Sequence, residues 1–526
     1  MGRRGPKQEL DLVEEDESGD GTPTDRPDGG APGDGTPPAA AVTDVARVRR
    51  GRATTLGVGL LAVLVLVGVV GQGVVTARER DRLATLAALG DVLAPLDGPP
   101  QVLWTSDEDV PAQMVTSAGH LAGAVGHPDG RVVARVVDPA TGRTVWEVDL
   151  LSAADSMELP AGTVPAERGS GRCWPRSHGN RPSDVMLCTA ENAVLLEGAG
   201  PTRTIPATVT RLVLLDAQDG TVLTDLTDEA AVAPVAESST VLGDLVLLVG
   251  RTSDGAQVRA VRRDGTVAWR TTVPAPPVPE PEPGSPAERL VLTTARDHAA
   301  LITPDAVHLL DATGATVHRT PRGDDGWFMG STGDTVVLGT GDLHRRTDDS
   351  PPEPATSTLV RTDGDLTRPG QLVWLSVDDG TAPFTALTWD ADGLHAWGDE
   401  DAPLWTADVP MPHDAVTLGG LVHLRQDEEL VTLDAGTGAE VWRMTDLRSG
   451  ARLLTDGRVL LVTAGPRPGE EGGAHLVALD RRDGSEVWRA PVPVEVDGMR
   501  AVGGVILGEQ WEQDGPTDRI VVTALG

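Results

Sequence analysis

Tyrosine is absent from this 526-residue chain, phenylalanine occurs twice and lysine once, at Lys7. With no lysine beyond residue 7, a glycine-rich phosphate loop carrying its lysine is excluded. Basic charge therefore rests on arginine, and it is outnumbered: 44 Lys and Arg stand against 79 Asp and Glu, for a formal net charge of −35. That balance argues against nucleic-acid binding, which needs a basic face to neutralise phosphates. Cysteine is limited to Cys173 and Cys188, too few for a disulfide scaffold or a cysteine-rich zinc site. The eleven histidines do not compensate. His120, His127, His308 and His318 show neither H-E-x-x-H nor cysteine-paired spacing, so no metal-ligand set is legible. Asp390-Ala391-Asp392-Gly393 and Asp399-Glu400-Asp401 lack the twelve-residue distribution of oxygen ligands that a calcium loop requires. Gly330-Ser331-Thr332-Gly333 lacks the spacing of a nucleophile elbow. No catalytic constellation, cofactor or metal site is expected. The bias toward Ala, Gly, Arg, Asp and Val points to a GC-rich genome such as that of a high-GC actinobacterium.

One long hydrophobic run is present. Residues 1–46 combine a basic start, an acidic stretch and a Gly/Pro/Asp/Thr tract that cannot bury enough apolar surface to offset ordering entropy, and they are expected to be disordered. Residues 47–52 form a basic flank, and residues 53–76 carry no charge. As a helix this run would reach roughly 36 Å, enough to cross a hydrocarbon core of about 30 Å. A single membrane span is expected, with a cytoplasmic N-terminus from the arginines on the near side. Residues 77–100 read as a juxtamembrane helix and linker that ends before Pro95 and lifts the following domain off the bilayer.

From 101 to 526 short β-rich runs alternate with Gly/Asp/Pro turns, an all-β pattern. Within it Val477 to Trp488 has a near twin at Val431 to Trp442: an apolar strand ends in Asp, Gly follows four residues on, and Trp four after that. Asp138, Gly142 and Trp146, then Asp434, Gly438 and Trp442, then Asp480, Gly484 and Trp488 match fully. Degraded copies keep part of it: Asp216-Gly220-Thr224, Val261-Gly265-Trp269, Asp311-Gly314-His318, Ser376-Gly380-Phe384, and a looser one closing at Leu404-Trp405. Asp can cap the turn it opens and Gly takes positive φ without strain. A spacing that recurs along the chain marks a stacked or radial repeat fold. A packing residue recurs with every repeat, so the three tryptophans are expected to dock one repeat on the next.

The pattern A-x-D-x-x-T-G-x-E-x-W resembles the tryptophan-docking repeat of the PQQ-type, quinoprotein dehydrogenase-like β-propellers. The resemblance implies one four-stranded blade per repeat across 101–526. Length alone allows nine blades. Setting aside 151–206, Pro274–Glu288 and 341–370 as insertions leaves eight, with seven the alternative. Val102-Leu103-Trp104 and Ile520–Ala524 look like two parts of one blade, whose pairing would close the ring. Enzymes of that family need a calcium-ligating Glu/Asn/Asp set, and this chain offers only Asn180 and Asn192; it also lacks their adjacent cysteines. Cys173 and Cys188, fifteen residues apart, are expected to be bridged outside the cell and to pin the 151–206 insertion, with about 3 kcal/mol from loop closure. The reading is a single-pass cell-membrane protein whose external propeller binds protein or cell-envelope polymer partners without catalysis. A PQQ-dependent dehydrogenase and a cell-surface sensor are the alternatives.

Overall fold

The computed structural model describes residues 82–526 apart from residues 84, 112 and 324 and the stretches 87–88, 107–109, 160–166, 175–182, 197–202, 228–237, 277–289, 333–334, 342–354, 449–451, 468–472 and 514–517. The expected tail, basic flank and span at 1–76 lie outside the described residues, as does nearly all of the Pro274–Glu288 tract. Among the described residues no helix is long and apolar enough to cross a membrane.

Residues 102–526 form nine sheets, each built around four antiparallel strands. In chain order the blades occupy 114–151, 167–225, 238–273, 291–321, 327–369, 371–407, 414–444, 454–491 and 498–525, numbered here one to nine. Nine, not eight, is the correct count, because two supposed insertions contain blade strands. The stretch 151–206 holds Glu167–Trp174 and Val185–Leu196, which pair as the first two strands of blade 2. The stretch 341–370 holds Thr356–Val360 and Leu366–Pro369, the outer half of blade 5. Long polar stretches of sequence around these strands hid their period.

The strand alternation that makes each blade also makes the core. Inner positions such as Val132–Val137 are buried throughout, and each blade stacks its apolar faces on its neighbours. The ring closes as expected. Val102–Ser106 is the outer strand of blade 9 and pairs with Asp518–Leu525, with Trp104 opposite Ala524. Both ends of the 102–526 segment thus contribute to one sheet, leaving that sheet no open seam.

Antiparallel order fixes the two faces of the ring. The turns between first and second strands, and between third and fourth, lie on one face, called here the turn face. The second-to-third loops and the blade-to-blade linkers lie on the other, the linker face. Blade 6 departs from the pattern between its first two strands. There Leu375–Asp378 leaves the blade and adds in parallel to the inner edge of Asp414–Leu418 in blade 7. The Ser376-Gly380-Phe384 copy falls in this excursion and is not a blade-closing turn.

Residues 82–96 do not stand clear of the ring. Leu86, Val92 and Leu93 are buried against blades 7 to 9, and Leu93 and Ala94 bond to Thr455 and Gly504. This segment lies on the turn face.

Candidate binding site between the eighth and ninth blades

The repeat residues were the first candidates, and the structure places them at the junctions between blades. Trp104, Trp146, Trp269, Trp405 and Trp442 each donate the indole N–H to a backbone carbonyl in the next blade's last turn: Pro139, Ala217, Ala312, Ala435 and Arg481, at 2.8 to 3.3 Å. Asp138, Asp434 and Asp480 accept backbone N–H bonds from the turns they open, at 2.8 to 3.1 Å. Gly142 and Gly484 are required twice over. Each has a φ near +68°, and a Cβ on either would sit 2.7 Å from the ring of Trp104 or Trp442.

Three junctions use other chemistry. Thr224 donates to Arg263 O at 2.6 Å, His318 meets Asp365 at 2.8 Å, and Arg368 donates to Gly398 O at 3.2 Å. Sequence reading missed Arg368 because its side chain is not aromatic, although it follows Gly364 by four residues. The junction of Trp488 is different again. The last turn of blade 9 is not covalent; Gln101 and Gly526 exchange two N–H···O bonds of 3.0 Å in its place. Trp488 packs, half-buried, against the apolar cluster of blades 8 and 9 that includes Leu461 and Leu525.

Cys173 and Cys188 form a disulfide between directly paired strands, with Cα atoms 4.0 Å apart and both side chains buried. The expectation that the bridge pins an insertion is corrected: it joins the two inner strands of blade 2. Its sulfurs belong to the apolar layer shared with blade 1.

On the turn face, residues 82–96 are held by a buried polar node. Arg82 donates to Asp379 at 3.0 Å and to Gly457 O at 2.8 Å, and Asp379 also accepts from the Gly419 N–H at 2.7 Å. The Asp379 side chain has no exposure to solvent. His423 lies near this node, with Nδ1 2.8 Å from Thr432 Oγ1 and Nε2 unpartnered. Burial, reinforced by the Arg481 charge, pushes its pKa down to about 3.

The linker face carries the open site. A cavity of about 560 Å³ lies beside the linker from blade 8 to blade 9, within the size range of ligand pockets. Val492 and Met499 supply apolar wall, and Gly473 and Ala474 supply main chain. Arg448, Glu495 and Asp497 supply charge. Neither Arg448 nor Glu495 has an ion-pair partner among the described residues. Asp497 accepts the Trp511 backbone N–H at 2.7 Å. This bond ties the linker to the strand Val505–Gln513, which runs on past the ring with its partner Asp518–Leu525. The Trp511 side chain is 56% exposed there, the most of any tryptophan described. No motif marks this site, since its linker and loop-end residues have no repeat.

A calcium-bound quinone would need converging oxygen ligands. Among the described residues no three His, Cys, Asp or Glu side chains converge on one point, and the disulfide is not a pair of adjacent cysteines. No chemical step is assigned to such a cofactor.

Nine blades joined by docking residues define a β-propeller of the tryptophan-docking type. The chain belongs to the family described as outer membrane protein assembly factor BamB, whose model matches residues 128–343 and 426–510. Among solved structures it is similar to BamB from Moraxella catarrhalis, at 14% identity over 81% of this chain and 97% of that one, with a TM-score of 0.35. It is also similar to a europium-containing methanol dehydrogenase, at 10% identity over 85% and 100% of the two chains and a TM-score of 0.38. A quinohemoprotein alcohol dehydrogenase from Pseudomonas putida HK5 matches at 11% identity over 85% and 81%, with a TM-score of 0.36. At these scores the likenesses carry no argument about activity. No curated protein sequence matches the chain.

Proposed function

We propose that this protein is a membrane-anchored, extracytoplasmic binding module that holds a partner at the linker face of its propeller without catalysing a reaction. The observation that carries the reading is the cavity between blades 8 and 9. It is walled by linker main chain, apolar side chains and charges of both signs, and the exposed Trp511 on the adjoining strand bonds through its backbone to Asp497 of the lining. Large exposed aromatic groups beside partly polar pockets are the usual anchors of protein interfaces. The turn face is less available, since residues 82–96 already occupy part of it.

The uncharged run at 53–76 and its basic flank support the anchor. The buried disulfide supports an external propeller, because such bonds persist in oxidising compartments. Protease added to spheroplasts should then digest the propeller; complete protection would overturn the orientation.

Binding at the linker face is tested by a photo-crosslinking residue placed at Trp511 or Val494 in intact cells. Val145 and Val441, exposed on outer strands, serve as comparison sites. Adducts confined to the first pair are expected. Equal labelling at the outer strands, or none at the cavity, would remove the cavity from the account.

A further inference from the structure

We propose that the occupant of the cavity between blades 8 and 9 is an extended, positively charged segment of a partner polypeptide. The proposal rests on the binding role assigned above and names the partner's chemistry. Two carboxylates, Glu495 and Asp497, and one guanidinium, Arg448, line the cavity. The local balance is therefore negative, within a chain whose formal charge is −35. A basic segment is drawn toward such a field and an acidic one repelled.

The individual groups suit a cationic side chain. Glu495 has no partner among the described residues, so pairing it with a lysine or arginine breaks no existing bond. Asp497 is held in place by the Trp511 N–H, 2.7 Å away, and so presents a fixed carboxylate. The exposed Trp511 ring on the adjoining strand offers an aromatic face, on which a guanidinium or ammonium is favourably placed. Val492, Val494 and Met499 provide a half-buried apolar wall for the side-chain stem or an apolar neighbour. Arg448, also without an ion-pair partner among the described residues, can donate to the segment's backbone carbonyls. A flat lipid surface does not match a cavity of about 560 Å³. A nucleic acid would place phosphates against Glu495 and Asp497.

The test uses the full-length chain in detergent and two labelled, end-blocked octapeptides, one alternating valine with arginine and one alternating valine with glutamate. Binding is read by fluorescence anisotropy at physiological salt. The arginine peptide should bind at least tenfold more tightly than the glutamate peptide. Glu495→Lys should weaken it at least tenfold. Glu158→Lys changes net charge equally on the same face, near blade 2, and should weaken it less than threefold. Trp511→Ala should also weaken binding several-fold, with the melting temperature unchanged. Equal affinity for the two peptides, no binding of either, or equal effects of the two lysine variants would overturn the proposal. If crosslinking at Trp511 captures a partner while the peptides fail, the binding role stands and the basic-segment assignment falls. Failure of both removes the role itself.

Discussion

The two faces of the ring are built from the same strands and differ in what their connections do. On the turn face most of the described connections are tight turns, and residues 82–96 occupy part of the face. Asp carboxylates cap turns, docking side chains reach across to the next blade, and Arg82 locks residues 82–96 onto blades 6 to 8 through Asp379 and Gly457. On the linker face the connections vary in length, and the linkers on either side of blade 8 line a cavity with Arg448 and Glu495. The contrast separates residues that make the ring from residues free to meet something else. Recurrence marks the first group and singularity the second.

The largest effects should follow from breaking the turn face. Trp405 is 6% exposed and donates to Ala435 O, so Trp405→Ala should destabilise the propeller by about 3–5 kcal/mol. Chemical denaturation would measure this, with one cooperative transition. Trp146→Ala, Trp442→Ala and Trp488→Ala should each have a smaller effect, because those rings are only half-buried. A larger loss at Trp488 would show that the noncovalent turn at Gln101 and Gly526 is the weakest junction.

Next comes the buried ion pair. Arg82→Ala leaves the Asp379 carboxylate without its cation and should destabilise the fold by roughly 3 kcal/mol. Asp379→Asn combined with Arg82→Met should recover part of that loss. If Arg82→Ala melts like wild type, residues 82–96 are ornamental. The disulfide should contribute about 3 kcal/mol. Since it joins two strands of blade 2, Cys173→Ser should lower the melting of the whole ring and not only of a local loop.

His423 gives a pH-dependent test of the same face. Its folded pKa lies near 3, below its unfolded value of about 6.5, so the unfolded chain binds more protons between the two. The His423 contribution is complete above pH 6.5 and is lost as pH falls toward 3. His423→Gln should flatten that part of the stability profile; an unaltered slope would assign it to other groups. Smallest of all, Glu495→Gln on the linker face should change stability by less than about 0.5 kcal/mol.

The sequence made the turn face readable because its chemistry is local. Asp138, Gly142 and Trp146 lie within nine residues, and their spacing repeats. The pairing of Val102–Ser106 with Asp518–Leu525 could be read from two half-repeats at opposite ends. Blade number could not, because polar sequence flanks Glu167–Trp174 and Thr356–Val360 and breaks the period that would identify them. The Arg82–Asp379 pair spans 297 residues and has no local signature. His318, Thr224 and Arg368 show that a junction needs a group able to reach the next blade, which aromatic spacing alone finds incompletely. The cavity was illegible for a related reason. Its walls are the linkers on either side of blade 8, one loop end and the start of blade 9's first strand, residues that share no repeated spacing.

The separation of roles between the faces is tested most directly by measuring melting and arginine-peptide binding on Trp442→Ala and Trp511→Ala together. Trp442→Ala should melt early yet bind normally at temperatures where it remains folded. Trp511→Ala should melt like wild type and bind several-fold more weakly. Early melting of Trp511→Ala with binding intact, or lost binding in folded Trp442→Ala, would contradict the division of the ring into a structural face and a binding face.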